Sequence, residues 1–305
     1  MRKIFRPGWK SLVHPVFGFV LVVLVAAGAV AQTSAVPGND SNASALLDKH
    51  AALSAQLAQN VYRRPLFLES TESANKVSGS AYAVLDSPLS TVSAAFKSPR
   101  QWCDVLILHL NTKYCRTDTD ASPSTLKMDI GKKPPQALAN TFALEFSYRV
   151  ASATSNYLAV ELKADKGPVS TSDYRIELQA IPLPEGKTFI QLRYSYGYGL
   201  AGRLAMQTYL ATLGRSKVGF TQLKEGGKLV YVGGMRGTVE RNTMRYYLAM
   251  EAYLASLNQP PAQQFTARLS YWFDATEEYS QQLHEVDRSS YISMKKDEYQ
   301  RQKSE

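Results

Sequence analysis

Four successive segments between residues 141 and 198 alternate apolar and polar residues with a period of two. In the first, TFALEFSYRV, the apolar positions run from Phe142 to Val150, and Glu145, Ser147 and Arg149 lie between them. NYLAVELKA, SDYRIELQAI and TFIQLRYSYGY repeat the pattern, and turn-rich pieces such as DKGPVSTS and PLPEGK join them. A period of two places alternate side chains on opposite faces of a strand. The pattern therefore predicts an antiparallel meander with one buried and one solvated face.

Short helices and one long helix flank the predicted meander. VSGSAYAVLD, residues 77–86, alternates as a strand does, and the two segments after it begin with proline, as helices often do. Beyond the meander, AGRLAMQTYLATLG predicts a helix that ends at Gly214, and KVGFTQL and KLVYVGG predict a hairpin. A long amphipathic helix over 238–257 then carries one apolar stripe and ends before Pro260.

The outer parts of the chain add further helices to this plan. Leucines recur at helical spacing over 45–59, whereas the polar helix from about Thr276 has a composition typical of a surface arm. We therefore divide the chain into a signal peptide, a flexible linker, an N-terminal helix with its lead-in, a main domain and a C-terminal helical extension. These segments cover residues 1–31, 32–44, 45–75, 76–258 and 259–305.

The order of these elements resembles the START-like superfamily, also called Bet v 1-like or helix-grip. The resemblance is carried by SAYAVLDSPLSTVSAAFKSPRQWCDVL, a strand with paired helices, and by GTVERNTMRYYLAMEAYLASL, a closing helix. It covers roughly residues 75 to 258 and rests on element order, without an invariant motif. It implies an α+β fold in which a curved antiparallel sheet grips a long C-terminal helix, here with extra helices at both termini. It also implies an apolar cavity between sheet and helix, where members bind lipids, sterols and other hydrophobic molecules, and where some catalyse reactions on them.

Tyrosines are frequent on the predicted inward face. A simple core prefers aliphatic residues, because each buried phenol hydroxyl needs a hydrogen-bond partner, whereas a ligand cavity combines apolar walls with a few polar tips. The alternative is that these tyrosines straddle the sheet edge with their hydroxyls in water. An arginine on the long helix can bind a phosphate or carboxylate, or pair with an acid on the helix surface. Our candidate ligand-binding residues are Tyr148, Tyr174, Tyr194, Tyr196, Tyr246, Tyr247 and Arg245.

The first 31 residues have the organisation of an export signal. Four basic residues precede an apolar run over Val16–Ala29, and Ala29-Val30-Ala31 is a small-x-small cleavage pattern. The apolar run is shorter than the roughly 18 residues of a spanning helix. We expect a cleaved signal peptide and an exported, periplasmic protein; an uncleaved N-terminal membrane anchor is the alternative.

The charge of the remaining chain is mild. Removing the signal leaves 31 basic against 26 acidic residues, a net charge of +5. The basic residues are scattered apart from a short run at the end, whereas nucleic-acid binding usually requires clusters of them. We therefore expect no nucleic-acid partner, but peripheral contact with an anionic membrane is compatible with this charge.

Cys103 and Cys115 are the two cysteines of the chain. In an oxidising compartment a pair so close in sequence most simply forms one disulfide. Free thiols remain an alternative, as does a metal site. The intervening His109 gives a spacing that matches no common zinc pattern, so we expect no metal.

YSYGYGLAG contains the spacing G-x-G-x-x-G at Gly197, Gly199 and Gly202, the fingerprint of a dinucleotide-binding turn. A parallel Rossmann strand is buried on both faces, whereas the strand before these glycines alternates with polar residues. The acidic residue expected about 20 positions later is also missing from a strand end, since Glu225, the nearest, lies in a glycine turn. We therefore expect no cofactor.

The chain shows no catalytic constellation at the level of motifs. His50, His109 and His284 follow the signal without motif-level partners, and we interpret His109 as structural. The sequence thus favours an exported cell-envelope protein, more a binding protein than an enzyme, that binds or carries a lipid or another hydrophobic molecule. One alternative is a structural or interaction protein with a filled core; another is an enzyme acting on a hydrophobic substrate.

Overall fold

An antiparallel sheet of eight strands forms the centre of the protein. The computed structural model describes residues 39–120, 123–200, 202–204, 208 and 217–304. The strands are β1 (Leu66–Glu72), β2 (Lys76–Leu85), β3 (Thr112–Asp118), β4 (Thr125–Ile130), β5 (Phe142–Ala153), β6 (Leu158–Lys166), β7 (Thr171–Leu183) and β8 (Lys187–Tyr198). Across the sheet they lie in the order β1-β2-β8-β7-β6-β5-β4-β3, with every neighbouring pair antiparallel.

The described helices lie before the sheet, between β2 and β3, and after β8. They are α1 (Asn39–Ala52), α2 (Ser54–Ala58), α3 (Leu89–Phe96), α4 (Pro99–Leu106), α5 (Gly234–Ser256), α6 (Pro261–Glu277), α7 (Ser280–Leu283) and α8 (Arg288–Ser304). Short 3-10 turns occupy Leu138–Asn140, Pro168–Ser170 and Pro184–Gly186. A separate hairpin of β9 (Gln222–Glu225) and β10 (Lys228–Tyr231) precedes α5, as the sequence predicts.

The predicted α+β helix-grip arrangement is confirmed. Helix α5 packs against β1, β2 and β8, and the α3–α4 pair follows β2, which is the predicted element order. Gly79 on β2 lets the helix approach closely, because a Cβ there would lie 2.5 Å from Oγ1 of Thr243 on α5. The main hydrophobic core fills the space between the sheet and the helices α3–α6 and α8.

The predicted meander is confirmed as β5–β8, with a correction at the ends of β5. Phe142 and Val150 are 53% and 36% exposed, although their positions predict the inward face. Phe142 is the first residue of the strand, and the register shifts between Val150 and Ser152 where β5 pairs with β6. Such an irregularity re-aims side chains, so alternation predicts burial only for the middle of β5.

Sequence reasoning missed β1, β3 and β4. In β4, TLKMDI does alternate, and Leu126 and Met128 are buried, so its period-two signal was detectable. β3 gives no such signal because it is buried at successive positions, including Lys113. β1 is an edge strand that pairs with β2, with Leu66 opposite Ala83. The local pattern of apolar and polar residues does not reveal such a pairing.

The outward face of the sheet is only partly solvated. Helices α1 and α2 pack on it through Leu46, Leu53 and Leu57, which form a second core with Tyr82 and Phe189. Helix α1 begins at Asn39, inside the segment predicted as a flexible linker. The predicted signal peptide and the linker up to residue 38 lie outside the described residues.

The C-terminal segment is part of the core, so the prediction of a surface arm is wrong. Tyr291, Met294, Lys295 and Glu298 of α8 are all buried. The predicted helix over 201–214 falls mostly outside the described residues; those described there, 202–204 and 208, are helical. None of the helices in the described ranges is both long and apolar enough to cross a membrane.

The predicted disulfide is confirmed. Cys103 on α4 and Cys115 on β3 are bonded, with their Cα atoms 5.3 Å apart. Both residues are buried in the main core. The bond ties the helix pair to the edge of the sheet, next to the segment 107–111 that links α4 to β3.

Candidate ligand cavity between the sheet and helix α5

A cavity of about 320 Å³ lies between the sheet and α5. Its volume is at the lower end of the range of small-molecule sites, about 300–1,000 Å³. One wall is apolar and is built by alternate residues of β4 and β5, which point to the same face of the sheet. These residues are Met128, Ile130, Leu144 and Phe146.

Aromatic rings form another part of the cavity lining. Tyr174 and Tyr196 stack with ring centroids 5.3 Å apart. Tyr194 meets Tyr246 of α5 edge to face at 5.2 Å, and Tyr246 stacks on His109 at 5.0 Å. Because Tyr194 and Tyr196 are two positions apart on β8, they share one face of the sheet. The result is a continuous aromatic wall from β7 to the segment that links α4 to β3.

The tyrosine hydroxyls on this wall differ in their partners. The Tyr174 hydroxyl donates to Oγ1 of Thr171 at 2.9 Å. Within the described part of the chain, the hydroxyls of Tyr194, Tyr196 and Tyr246 have no hydrogen-bond partner, although Tyr194 and Tyr196 are buried. Burial raises the pKa of all three phenols, so they stay neutral and protonated. Each offers the cavity a hydrogen-bond donor.

His109 contributes a further polar group to the cavity wall. It is 3% exposed, and its Nδ1 accepts a hydrogen bond from the backbone N–H of Asn111 at 3.1 Å. In the neutral ring the proton is therefore on Nε2, which is buried and has no partner in hydrogen-bonding geometry. Burial, reinforced by the positive charges of Arg245 and Lys295, lowers the pKa of His109 well below its ordinary value. The imidazole is thus a neutral donor.

Helix α8 holds the backbone that carries His109. The Nζ of Lys295 donates to the carbonyl oxygens of His109 and Thr112 at 2.7 and 2.8 Å and pairs with Glu298 at 2.7 Å. The Tyr291 hydroxyl donates to the carbonyl of Leu108 at 3.0 Å. Burial lowers the pKa of Lys295 to about 8, against the stabilising charge of Glu298. The C-terminal helix thus fixes one corner of the cavity.

The structure brings four of the seven candidate residues to the cavity and leaves three outside its lining. Tyr174, Tyr194, Tyr196 and Tyr246 line it. The Tyr148 hydroxyl instead donates to the carbonyl of Phe96, and the Tyr247 hydroxyl donates to Glu251. Arg245 forms an ion pair with Glu285 at 2.9 Å. Ligand binding by these residues stays a prediction.

The reason for the division on α5 is helix geometry. Consecutive helical residues point about 100° apart, so Tyr246 and Tyr247 cannot face the same cavity. Sequence reasoning missed the polar residues of this lining, His109, Asn111, Thr238 and Asn242. A signal for two of them existed, because Thr238, Asn242 and Tyr246 recur every four residues and therefore lie along one side of the helix.

The glycines at 197 and 199 lie at the end of β8, whose neighbours β2 and β7 are both antiparallel to it, unlike the parallel strand of a dinucleotide fold. Within the described ranges, no three His, Cys, Asp or Glu residues are grouped as metal ligands would be.

Comparison with known proteins yields similarity of fold. No family model matches the sequence, and no curated protein matches it. Similar solved structures include a START superfamily protein from Mycobacterium smegmatis, 14% identical over 47% of this chain and 93% of that chain, with a TM-score of 0.30.

Two further structures are similar to the chain at comparable values. The Zhui aromatase/cyclase from Streptomyces sp. R1128 is 10% identical over 70% of this chain and 96% of its own, with a TM-score of 0.31. Human StAR-related lipid transfer protein 5 is 10% identical over 56% of this chain and 90% of its own, also with a TM-score of 0.31. Of these three structures, two have names that refer to the START superfamily or to a StAR-related protein.

Proposed function

We propose that the protein binds or carries a hydrophobic small molecule or lipid in the cavity between the sheet and α5. The observation that supports this most directly is the void of about 320 Å³ with an apolar wall and an aromatic wall. A filled core, as expected for a purely structural protein, packs this space with side chains at the density of an organic crystal. Apolar walls with a few polar groups are instead the usual composition of a small-molecule site.

A cavity-filling variant tests this proposal. The probe is N-phenyl-naphthylamine, an uncharged fluorophore whose emission rises in apolar surroundings. Leu144→Trp adds volume at the apolar wall and should weaken binding of the probe by about tenfold or more. The matched control is Leu229→Trp on β10, where the side chain is 68% exposed, and it should leave binding unchanged. Absence of binding to the wild-type protein, or equal binding to both variants, contradicts the proposal.

Native mass spectrometry of the protein purified from its own source then identifies the cargo. We expect a hydrophobic molecule bound in a one-to-one complex that organic extraction removes. The Leu144→Trp variant should be recovered without it, because the added indole occupies the same space. A cargo that remains on this variant binds elsewhere.

We further propose that the protein is exported to the cell envelope. The signal-like composition of residues 1–31 supports this, as does the Cys103–Cys115 disulfide, since such bonds persist in oxidising compartments. The mass of the protein isolated from the envelope should correspond to a chain that begins at Gln32. A mass that retains residues 1–31 in the membrane fraction supports the anchored alternative, and recovery from the cytoplasm contradicts export.

Peripheral contact with an anionic membrane is also part of the proposal. On the β9–β10 hairpin, exposed Leu229 and Val230 lie beside exposed Lys224 and Lys228, a combination that suits an anionic lipid surface. The protein should sediment with phosphatidylglycerol vesicles at low salt and not with phosphatidylcholine vesicles. Leu229→Ser should reduce this binding; equal sedimentation with both lipids contradicts it.

A further inference from the structure

The polar groups of the cavity are unequally divided between donors and acceptors. Within the described residues the hydroxyls of Tyr194 and Tyr246 form no hydrogen bond. Nε2 of His109 is buried without a partner in hydrogen-bonding geometry, although the side chain of Asn242 interacts with the ring. Along the described lining there is no aspartate or glutamate to accept from them. A buried donor without an acceptor, such as Nε2–H of His109, destabilises the empty cavity. A ligand that brings an acceptor removes this destabilisation.

The side chains behind this end of the cavity carry an excess of positive charge. Glu285 is shared by Arg245, Lys133 and Lys217, with N···O distances of 2.9, 2.6 and 3.3 Å. On the other side of His109, the buried carboxylate of Glu298 pairs with both Lys113 and Lys295, at 3.1 and 2.7 Å. In these two clusters five cations share two carboxylates. Three of these cations are buried and Lys133 and Lys217 are half-buried, and an excess of such cations favours an anion nearby.

Electrostatic effects at the imidazole agree with this distribution. After burial, the largest contributions that lower the pKa of His109 are the charges of Arg245 and Lys295, and Lys133 acts in the same direction. A hydrogen bond with the side chain of Asn242 acts in the opposite direction. The potential at this corner of the cavity is therefore positive, although the wall itself presents only neutral groups.

We propose that the ligand is an apolar carboxylic acid, whose carboxylate accepts hydrogen bonds from the hydroxyls of Tyr194 and Tyr246 and from Nε2–H of His109. Its hydrocarbon part lies against Met128, Ile130, Leu144 and Phe146. Charge-assisted hydrogen bonds of this kind are roughly twice as strong as neutral ones. This assignment of a substrate class rests on the proposed function and deepens it.

Matched acid and alcohol probes test the carboxylate. Decanoic acid and decanol share a chain length, and naphthoic acid and naphthol share a ring system; at pH 7.5 the acids are ionised and the alcohols are neutral. Each competes with N-phenyl-naphthylamine for the cavity. In the wild-type protein each acid should bind about tenfold more tightly than its alcohol. The pair with the larger preference identifies a chain-like or a ring-like acid as the natural shape.

Single substitutions then locate the carboxylate. Tyr246→Phe, Tyr194→Phe and His109→Asn each remove one donor, and the asparagine keeps an oxygen acceptor for the N–H of Asn111. Each should lower the affinity for the acids by about threefold to tenfold and leave that for the alcohols within about twofold. Tyr157→Phe is the control, because the Tyr157 hydroxyl donates to Gln179 on the opposite face of the sheet, and it should change neither.

The possible results separate this inference from the proposed function. If the wild-type protein binds acid and alcohol equally well, the proposal of a carboxylate ligand is wrong, whereas the proposal of a hydrophobic ligand cavity is still supported. An acid preference that survives all three substitutions also overturns it, provided that each variant still binds N-phenyl-naphthylamine and is therefore folded. If the wild-type protein binds neither the probes nor the fluorophore, the proposed function fails as well.

Discussion

His109 shows how the fold changes the chemistry of one residue. Burial and the nearby charge of Arg245 lower its pKa, so the folded protein binds a proton at this site less readily than the unfolded chain does. In the unfolded chain a histidine titrates near about 6.5. By linkage, the stability that depends on neutral His109 is fully present above that pH and falls as the pH drops below it.

We expect the free energy of unfolding to fall below pH 6.5 by up to about 1.4 kcal/mol per pH unit from this residue alone. Urea unfolding followed by circular dichroism between pH 7.5 and 5 measures the slope. His109→Asn should be less dependent on pH, because the substituted residue does not titrate. Identical slopes for His109→Asn and wild type would show that His109 is protonated at little cost.

At the scale of elements, helix α8 fixes the part of the cavity wall that contains His109, through hydrogen bonds to its backbone. A polar helix at the end of a chain resembles a surface arm, yet α8 buries Lys295 and Glu298 against the segment between α4 and β3. Lys295 donates hydrogen bonds to two buried carbonyl oxygens, those of His109 and Thr112. The presence of a lysine in the sequence does not predict these bonds, because both partners lie far away along the chain. The polar composition of α8 therefore serves packing as well as solvation.

We expect Lys295→Met to lower the free energy of unfolding by about 3 kcal/mol, because it removes the Nζ donor from the carbonyls of His109 and Thr112 and the buried ion pair with Glu298. Urea unfolding measures the loss, and hydrogen exchange should increase at residues 107–112. Lys296→Met on the exposed side of the same helix is the matched control and should change stability by less than about 0.5 kcal/mol. A loss equal in both variants would mean that α8 contributes no specific support.

At the scale of the whole molecule, the disulfide and α8 secure the same region from two sides. Cys103–Cys115 joins α4 to β3 through the core, and α8 packs from beyond β3. Between them lies the segment that carries His109 and Asn111 into the cavity. An edge of the sheet that would otherwise be held by strand pairing alone is thereby fixed.

Removal of the disulfide should cost about 3 kcal/mol, since the bond closes a loop of 12 residues and restricts the unfolded chain. The comparison is between the oxidised wild-type protein and Cys103→Ala/Cys115→Ala, by urea unfolding without reductant. Adding dithiothreitol should lower the stability of the wild type and leave that of the variant unchanged. A reduced wild type as stable as the oxidised one contradicts the prediction.

The sequence by itself determined the elements whose signals are local. Period-two alternation predicted β5–β8, the apolar stripe predicted α5, and the close spacing of the two cysteines predicted their bond. Four cavity tyrosines, Tyr174, Tyr194, Tyr196 and Tyr246, followed from the same alternation and stripe, because periodicity states which side chains share a face.

Only the tertiary structure decided which of those faces enclose a space. It turned Tyr148 toward Phe96, used Arg245 in an ion pair, and brought His109 to the cavity from a segment without a pattern. The pairing of β1 and β3 and the burial of α8 likewise depend on partners far away in sequence. Periodicity predicts which side chains share one face of a helix or strand. A cavity and its polar groups form where several elements meet, and contacts between residues far apart in sequence produce no local sequence pattern.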